Sequence, residues 1–175
     1  MEKKKNKIAI FDLDGTLLDT PLQPEGMKVY KDKTGKDWPH KGWWSKKESL
    51  DMDIFDISCI ESVKEAYEKC KNEEGTVMVM LTGRLPFLSK QVEAILAEHG
   101  LEFDEYHYNN GGKTEDSKRK TMDELLEKYS DVECINLWDD RLEHIPIFEE
   151  FLHEKLKSGR IKSFNITVVP ANRHK

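Results

Sequence analysis

The chain has 175 residues, which is enough for one domain with a sizeable core and a small insertion. Charged residues make up 35% of it, and the formal net charge is −6, so we expect a charged globular protein without a generally basic, nucleic-acid-binding surface. No run of about 18 apolar residues is present, which predicts no membrane span. Three cysteines without a CxxC pair favour free thiols and a cytoplasmic location.

Short apolar runs predict the strands of an α/β fold whose central sheet is mostly parallel. The first run covers residues 8–11, and further strands are predicted at 76–81, 134–138 and 164–169, with a weaker one at 105–108. Between them, apolar positions at 3–4 spacing predict amphipathic helices over residues 60–70, 88–101, 122–129 and 148–156. This alternation places helices on both faces of the sheet.

Residues 21–58 interrupt the alternation with prolines, glycines and little periodicity. We expect a small cap there, inserted over the carboxyl edge of the sheet into a core formed by residues 1–20 and 59–175. Within residues 28–48, seven lysines outnumber three acidic residues, and Trp43 and Trp44 lie among them. The two tryptophans are candidate substrate-binding residues that stack on a base, although either one also has the area to pack the cap onto the sheet.

Residues 12–15, Asp-Leu-Asp-Gly, carry the strongest chemical signal, because they directly follow the first predicted strand. Asp12 and Asp14 are two residues apart, so both carboxylates point to the same side of the chain. A bound cation relieves the repulsion between two such charges, and oxygen ligands suit Mg²⁺. Taken alone, the motif also fits a simple turn, since Asp and Gly favour turns.

Polar side chains follow two other predicted strands, and ligands bind at the carboxyl edge of a parallel sheet. Thr82 follows strand 76–81, and Gly83 beside it leaves the backbone open to an anion. The acidic pair Asp139 and Asp140 follows strand 134–138, and Lys118 precedes the helical pattern at 122–129. This edge therefore combines carboxylates for a metal with a hydroxyl and a cation for a phosphate.

In this order the four elements resemble the motifs of the haloacid dehalogenase (HAD) superfamily of phosphotransferases. The resemblance covers residues 7–170 and implies a Rossmann-like fold, Mg²⁺ as cofactor and phosphatase activity. Residues 19–21, 42–44, 81–84 and 138–144 are also similar to the HAD domains of Swiss Army Knife RNA-repair proteins. The Asp-Asp-Arg sequence at 139–141 is similar to the phosphatase module of phage polynucleotide kinase-phosphatases. The resemblance therefore leads us to expect phosphorylated RNA or DNA ends as substrates and repair enzymes as partners.

The resemblance also implies a role for each motif residue. Asp12 attacks phosphorus and forms an aspartyl-phosphate, while Asp14 protonates the leaving oxygen and later activates water. Thr82 and Lys118 hold the phosphate oxygens. The residues expected to hold Mg²⁺ are Asp12, Asp14 through its backbone carbonyl, and Asp139 or Asp140.

Several assignments stay open on sequence grounds. Lys113 and Lys120 compete with Lys118 for the phosphate, and Lys118 is preferred because a helix follows it. Arg84 and Arg141 either clamp a phosphate or pair with a neighbouring acid. The histidines His40, His107 and His144 show no metal spacing and are expected at the surface. Three other functions remain. One is a phosphatase of small phosphometabolites or free nucleotides, and another is a non-catalytic nucleic-acid-binding module, which the intact motif residues disfavour. The third is transfer of the phosphate to an acceptor other than water, which would use the same residues.

Overall fold

The computed structural model describes residues 4–170. In chain order the elements are β1 (Lys7–Phe11), β2 (Leu18–Asp19), α1 (Gln23–Thr34), β3 (Ser58–Cys59), α2 (Glu61–Asn72), β4 (Thr76–Leu81), α3 (Ser89–Glu98), β5 (Glu105–His107), α4 (Thr114–Lys128), β6 (Cys134–Asp139), α5 (Ile145–Lys157) and β7 (Ser163–Val168). Short 3-10 helices cover Lys47–Leu50 and Pro86–Leu88. Within the described residues, no helix has both the length and the apolar character needed to cross a membrane.

The central sheet has five strands in the order β5-β4-β1-β6-β7, and every neighbouring pair is parallel. Alternation along β1 divides the core into two layers. Ala9 and Phe11 belong to a cluster that includes α2 and α3, whereas Ile8 and Ile10 belong to one that includes α4 and α5. The predicted Rossmann-like α/β fold, with helices on both faces of a parallel sheet, is confirmed.

The predicted insertion follows β1 and is closed at its base by a short antiparallel ladder between β2 and β3. Its buried aromatic residues Trp38, Trp43 and Phe55 belong to the same hydrophobic cluster as Phe11 and Met80 of the sheet. Trp38 and Trp43 are packed with their ring centroids 4.7 Å apart, and Trp43 meets Phe55 at 5.5 Å. The insertion is therefore packed onto the sheet through a continuous apolar core.

Two helices differ from the sequence-based expectation. The region 21–58 contains α1, whose inner face includes the buried Gly26 instead of a large apolar residue, so its helical period is hidden. A Cβ at Gly26 would lie 2.1 Å from the Trp43 ring, which explains a glycine inside this helix. Helix α4 begins at Thr114, well before the predicted 122–129, because Lys118 and Thr121 occupy buried positions that normally carry apolar side chains.

Candidate active site

Strands β1 and β6 are neighbours, so the acidic residues that follow or end them meet at one edge of the sheet. The Asp12 amide donates to the Trp138 carbonyl at 3.0 Å, which extends the strand pairing by one residue. Asp139 ends β6, and carboxylate oxygens of Asp12, Asp139 and Asp140 lie within 4.8 Å of one another. The fold therefore brings the first and fourth predicted motifs together.

Lys118 reaches this cluster from the second turn of α4 and is 2% exposed. Its Nζ donates to Asp12 Oδ1 at 2.9 Å and to Asp139 Oδ2 at 2.8 Å. Burial alone would lower the pKa of Lys118, but the charges of Asp12 and Asp139 outweigh it and raise the pKa above its ordinary value. Lys113 and Lys120 are exposed, so only Lys118 of the three competing lysines contacts the carboxylates.

The electrostatics of Asp12 suit a cation. Burial raises the pKa of Asp12 well above its ordinary value, the negative charge of Asp139 raises it further, and Lys118 opposes both. A divalent ion would relieve this repulsion, and three carboxylates offer the hard oxygen donors that Mg²⁺ prefers. The residues present therefore fit the predicted metal, with Asp12, Asp139 and Asp140 as the donor set.

Thr82 and Gly83 follow β4, the other neighbour of β1. The Thr82 amide donates to the His107 carbonyl at 3.0 Å, and its Oγ1 accepts the Arg84 amide at 3.1 Å. A Cβ at Gly83 would lie 2.7 Å from the Thr114 side chain, so only glycine lets this loop approach the start of α4 so closely. Both residues line a cavity of about 580 Å³, together with Asp12 and Lys118.

Arg84 serves a different partner from the predicted substrate phosphate. Its side chain is 2% exposed and forms an ion pair with Asp14, from Nη2 to Oδ1 at 2.7 Å and from Nε to Oδ2 at 3.0 Å. Thr20 donates a further hydrogen bond to Asp14 Oδ1 at 2.7 Å. These contacts correspond to the second reading of Arg84, an ion pair with an acid, and they fix the orientation of the Asp14 carboxylate.

The two tryptophans of the insertion have different surroundings. Trp43 is 2% exposed, and its Nε1 donates to the Pro21 carbonyl at 3.1 Å. The assignment of Trp43 to substrate stacking is therefore wrong, because its ring is enclosed by core side chains. Trp44 is 40% exposed, lines the cavity and lies 5.2 Å from the Arg84 guanidinium carbon, so it keeps the surface that stacking requires.

Arg141 and His144, which follow β6, have different surroundings. Arg141 lines the cavity but donates two hydrogen bonds to Glu143 Oε1, at 2.9 and 3.0 Å, on an exposed surface. His144 is 4% exposed, contrary to the surface position expected for it, and its Nε2 lies 3.4 Å from Glu115 of α4. Burial and the nearby Arg141 charge lower the pKa of His144. His144 thus packs the β6 loop against the helix that carries Lys118.

Three polar residues of the site received no role from the sequence. Thr16 donates to Asp12 Oδ2 at 3.1 Å, Thr20 orients Asp14, and Ser49 of the insertion accepts from Arg84 at 2.9 Å. For the two threonines the sequence did hold a signal, because Thr16 follows Asp12 by four positions and Thr20 follows Asp14 by six, which is close enough for a hydroxyl to bind the carboxylate. Ser49 offered none, because it is 35 residues from Arg84 in the chain.

Comparison with known proteins agrees with this geometry. Residues 28–175 match the HAD domain family 1 in Swiss Army Knife RNA repair proteins. The chain belongs to this family. The predicted HAD and RNA-repair resemblance is therefore confirmed, and the matched range begins after Asp12 and Asp14.

Relatives of the family domain extend the comparison. An uncharacterized protein of Saccharomyces cerevisiae, YMR265C, is 24% identical over 195 residues, which cover 94% of this chain and 40% of the yeast protein. Two solved structures of a Pnkp1/Rnl/Hen1 RNA repair complex contain chains that are 19% identical, with TM-scores of 0.61 and 0.58. They share the fold over 94% and 93% of this chain, which covers 46% and 43% of those chains. This chain thus spans less than half the length of each relative.

Proposed function

We propose that the chain is a phosphomonoesterase that forms an aspartyl-phosphate on Asp12. One observation carries this proposal: Asp12 lies at the cavity between a buried lysine and two further carboxylates, with a second oriented carboxylate, Asp14, at the same cavity. A buried carboxylate among like charges, facing solvent only through a cavity, is typical of a functional site. The HAD family membership supports the same chemistry.

The reaction takes two displacements at phosphorus. An oxygen of Asp12 bonds to phosphorus while the bond to the leaving-group oxygen breaks, and Asp14 gives that oxygen a proton. Asp14 then takes a proton from a water whose oxygen attacks the aspartyl-phosphate, which releases inorganic phosphate and frees Asp12. Lys118 and Thr82, which line the same cavity, would hold the non-bridging oxygens. Asp12, Asp139 and Asp140 would hold Mg²⁺, which supplies positive charge against nucleophile–phosphate repulsion.

We propose a nucleic-acid end as the substrate, on three supports. The family takes its name from RNA repair proteins, and the solved relatives belong to a repair complex. Trp44 offers a stacking surface at the cavity, where a base contributes roughly 1–3 kcal/mol. The insertion carries exposed lysines that would contact a phosphate backbone, namely Lys28, Lys31, Lys33, Lys36, Lys41 and Lys47. Partnership with other repair enzymes is part of the same proposal.

A phosphate-release panel tests the proposal. It compares 3′-phosphorylated and 5′-phosphorylated RNA and DNA oligonucleotides with mononucleotides and sugar phosphates, each with Mg²⁺ and with EDTA. We expect release that requires Mg²⁺ and favours oligonucleotides, and that is lost in Asp12→Asn. A preference for mononucleotides or sugar phosphates would replace the nucleic-acid substrate by a small phosphometabolite. Tight oligonucleotide binding without any release would indicate a binding module.

The contribution of the insertion is tested by salt dependence. Oligonucleotide affinity should fall as salt rises, because each phosphate contact releases a counterion, and this slope should flatten when Lys41, Lys46 and Lys47 are changed to Gln. A control changes Lys69, Lys157 and Lys162 to Gln, which are exposed and lie towards the amino ends of the strands. Equal flattening in both triple variants would contradict a specific role for the insertion.

A further inference from the structure

Ser49 is a fully buried polar residue of the insertion, in the 3-10 helix Lys47–Leu50. Its hydroxyl donates to the Lys46 carbonyl at 2.6 Å and accepts from Arg84 Nη1 at 2.9 Å. Since a hydroxyl has one proton, the bond to Lys46 directs a lone pair towards Arg84. Arg84 lies in the loop after β4, so the insertion binds one edge of a guanidinium group from another part of the chain.

The opposite edge of the same guanidinium holds Asp14. Nη1 also donates to the Trp44 carbonyl at 2.9 Å, while Nε and Nη2 donate to the Asp14 carboxylate. The five donors of a guanidinium are coplanar, so fixing Nη1 fixes the direction of Nε and Nη2 as well. The insertion is therefore mechanically connected to Asp14 through one rigid, buried side chain.

We propose that Ser49 is a positioning residue for the general acid–base, acting on Asp14 through Arg84. This inference rests on the proposed function, since it assigns Asp14 the proton transfer. Loss of the Ser49 hydroxyl leaves a charged buried donor with one acceptor fewer, and the guanidinium can turn towards water in the cavity. The carboxylate of Asp14 is then held less rigidly, with the hydrogen bond from Thr20 retained, whereas Asp12, Lys118 and Asp139 keep their contacts.

The dependence of the rate on the leaving group separates positioning from general damage. A poor leaving group, such as the ribose oxygen of a 3′-phosphorylated oligonucleotide, needs a proton from Asp14, whereas p-nitrophenolate leaves with little protonation. We expect Ser49→Ala to lower kcat for the oligonucleotide about tenfold or more, the scale of one hydrogen bond to a charged group. For p-nitrophenyl phosphate the loss should stay below about threefold. Ser58→Ala, an exposed serine of β3, is the matched control and should change neither rate.

A double-mutant cycle shows whether Ser49 acts through Asp14. In an Asp14→Asn background, Ser49→Ala should change the residual oligonucleotide turnover less than about twofold, compared with about tenfold or more when Asp14 is present, because the group it positions is already gone. Equal losses on both substrates, or an undiminished Ser49 effect without the Asp14 carboxyl, would show a merely structural role and overturn the inference. Full activity of Ser49→Ala on the oligonucleotide would overturn it as well.

A measurement without turnover keeps this inference separable from the proposed function. The Arg84 Nε–H gives its own NMR signal, and its solvent exchange should accelerate about tenfold or more in Ser49→Ala and stay unchanged in Ser58→Ala. If the wild-type chain releases no phosphate from any substrate, the proposed function fails and the catalytic role of Ser49 fails with it. An unchanged Arg84 exchange rate in Ser49→Ala would instead refute the mechanical link itself, whatever the activity.

Discussion

Replacing Trp43 and Trp44 separately by alanine should affect different properties. We expect Trp43→Ala to lower the stability of the fold and Trp44→Ala to lower the affinity for oligonucleotides. Trp43 is 2% exposed, packs against Trp38 and Phe55, and gives its indole N–H to the Pro21 carbonyl. Removing a large buried aromatic side chain costs about 3–5 kcal/mol. Total stabilities are roughly 5–15 kcal/mol, so Trp43→Ala should lose a large part of the free energy of unfolding.

Trp44 is 40% exposed, and its truncation leaves no comparable cavity. We expect Trp44→Ala to cost less than about 1 kcal/mol of stability. Its effect should appear in oligonucleotide affinity, with a loss of roughly 1–3 kcal/mol if one base stacks on the ring. Turnover of p-nitrophenyl phosphate, which has no base, should stay close to the wild-type rate.

Urea unfolding followed by circular dichroism measures the stability difference, and fluorescence anisotropy of a labelled 3′-phosphorylated oligonucleotide measures the affinity. In thermal melts, Trp43→Ala should lower Tm by about 10 °C, while Trp44→Ala should lower it by no more than about 3 °C. Similar destabilisation by both variants would refute the assignment of the two rings. Unchanged oligonucleotide affinity in Trp44→Ala would refute stacking at the cavity.

Three further predictions follow from individual contacts. Lys118→Met removes the cation shared by Asp12 and Asp139, so phosphate release should fall about 100-fold or more, whereas the exposed Lys120→Met should retain it. Gly26→Ala places a Cβ against the Trp43 ring and should cost about 1–3 kcal/mol in urea unfolding, although alanine favours helices. Despite burial, hydrogen bonds from Tyr129, Lys128 and His107 lower the pKa of Glu105, so its contribution to stability is present at neutral pH and is lost as pH falls through that lowered pKa. Glu105→Gln should therefore lower Tm at pH 7, and its effect on Tm should shrink as pH falls through that lowered pKa; an effect that stays the same size at acidic pH would contradict this account.

The parallel sheet was predictable because β1 and β4 are continuous apolar runs buried on both faces, and polar residues follow or end β1, β4 and β6 at the same edge. The position of Asp12 beside Asp139 follows directly from that topology. Helix α1 was not predictable from its own period, because the partner of Gly26 is Trp43, which comes later in the chain. A helix whose inner surface is shaped by one distant ring shows no apolar stripe.

The connections within the site depend on distant parts of the chain. The order of motifs favoured Lys118 over its neighbours, but its burial between two carboxylates depends on how α4 packs against the sheet. Arg84 is 70 residues from Asp14 in the chain, and the insertion contacts its guanidinium through the Trp44 carbonyl and the Ser49 hydroxyl. Local sequence indicates which residue types follow each strand, whereas pairing among them is decided by tertiary packing.

The central claim is that Asp12 carries the phosphoryl group, and chemical trapping during turnover tests it most directly. The reaction with whichever substrate of the panel releases phosphate is quenched in acid, reduced with borohydride and examined by peptide mass spectrometry. Reduction of an aspartyl-phosphate converts aspartate to homoserine, so the account predicts homoserine at position 12 in the wild-type chain and none there in Asp12→Asn. Phosphate release without modification at position 12, or homoserine at Asp14, Asp139 or Asp140 instead, would contradict it.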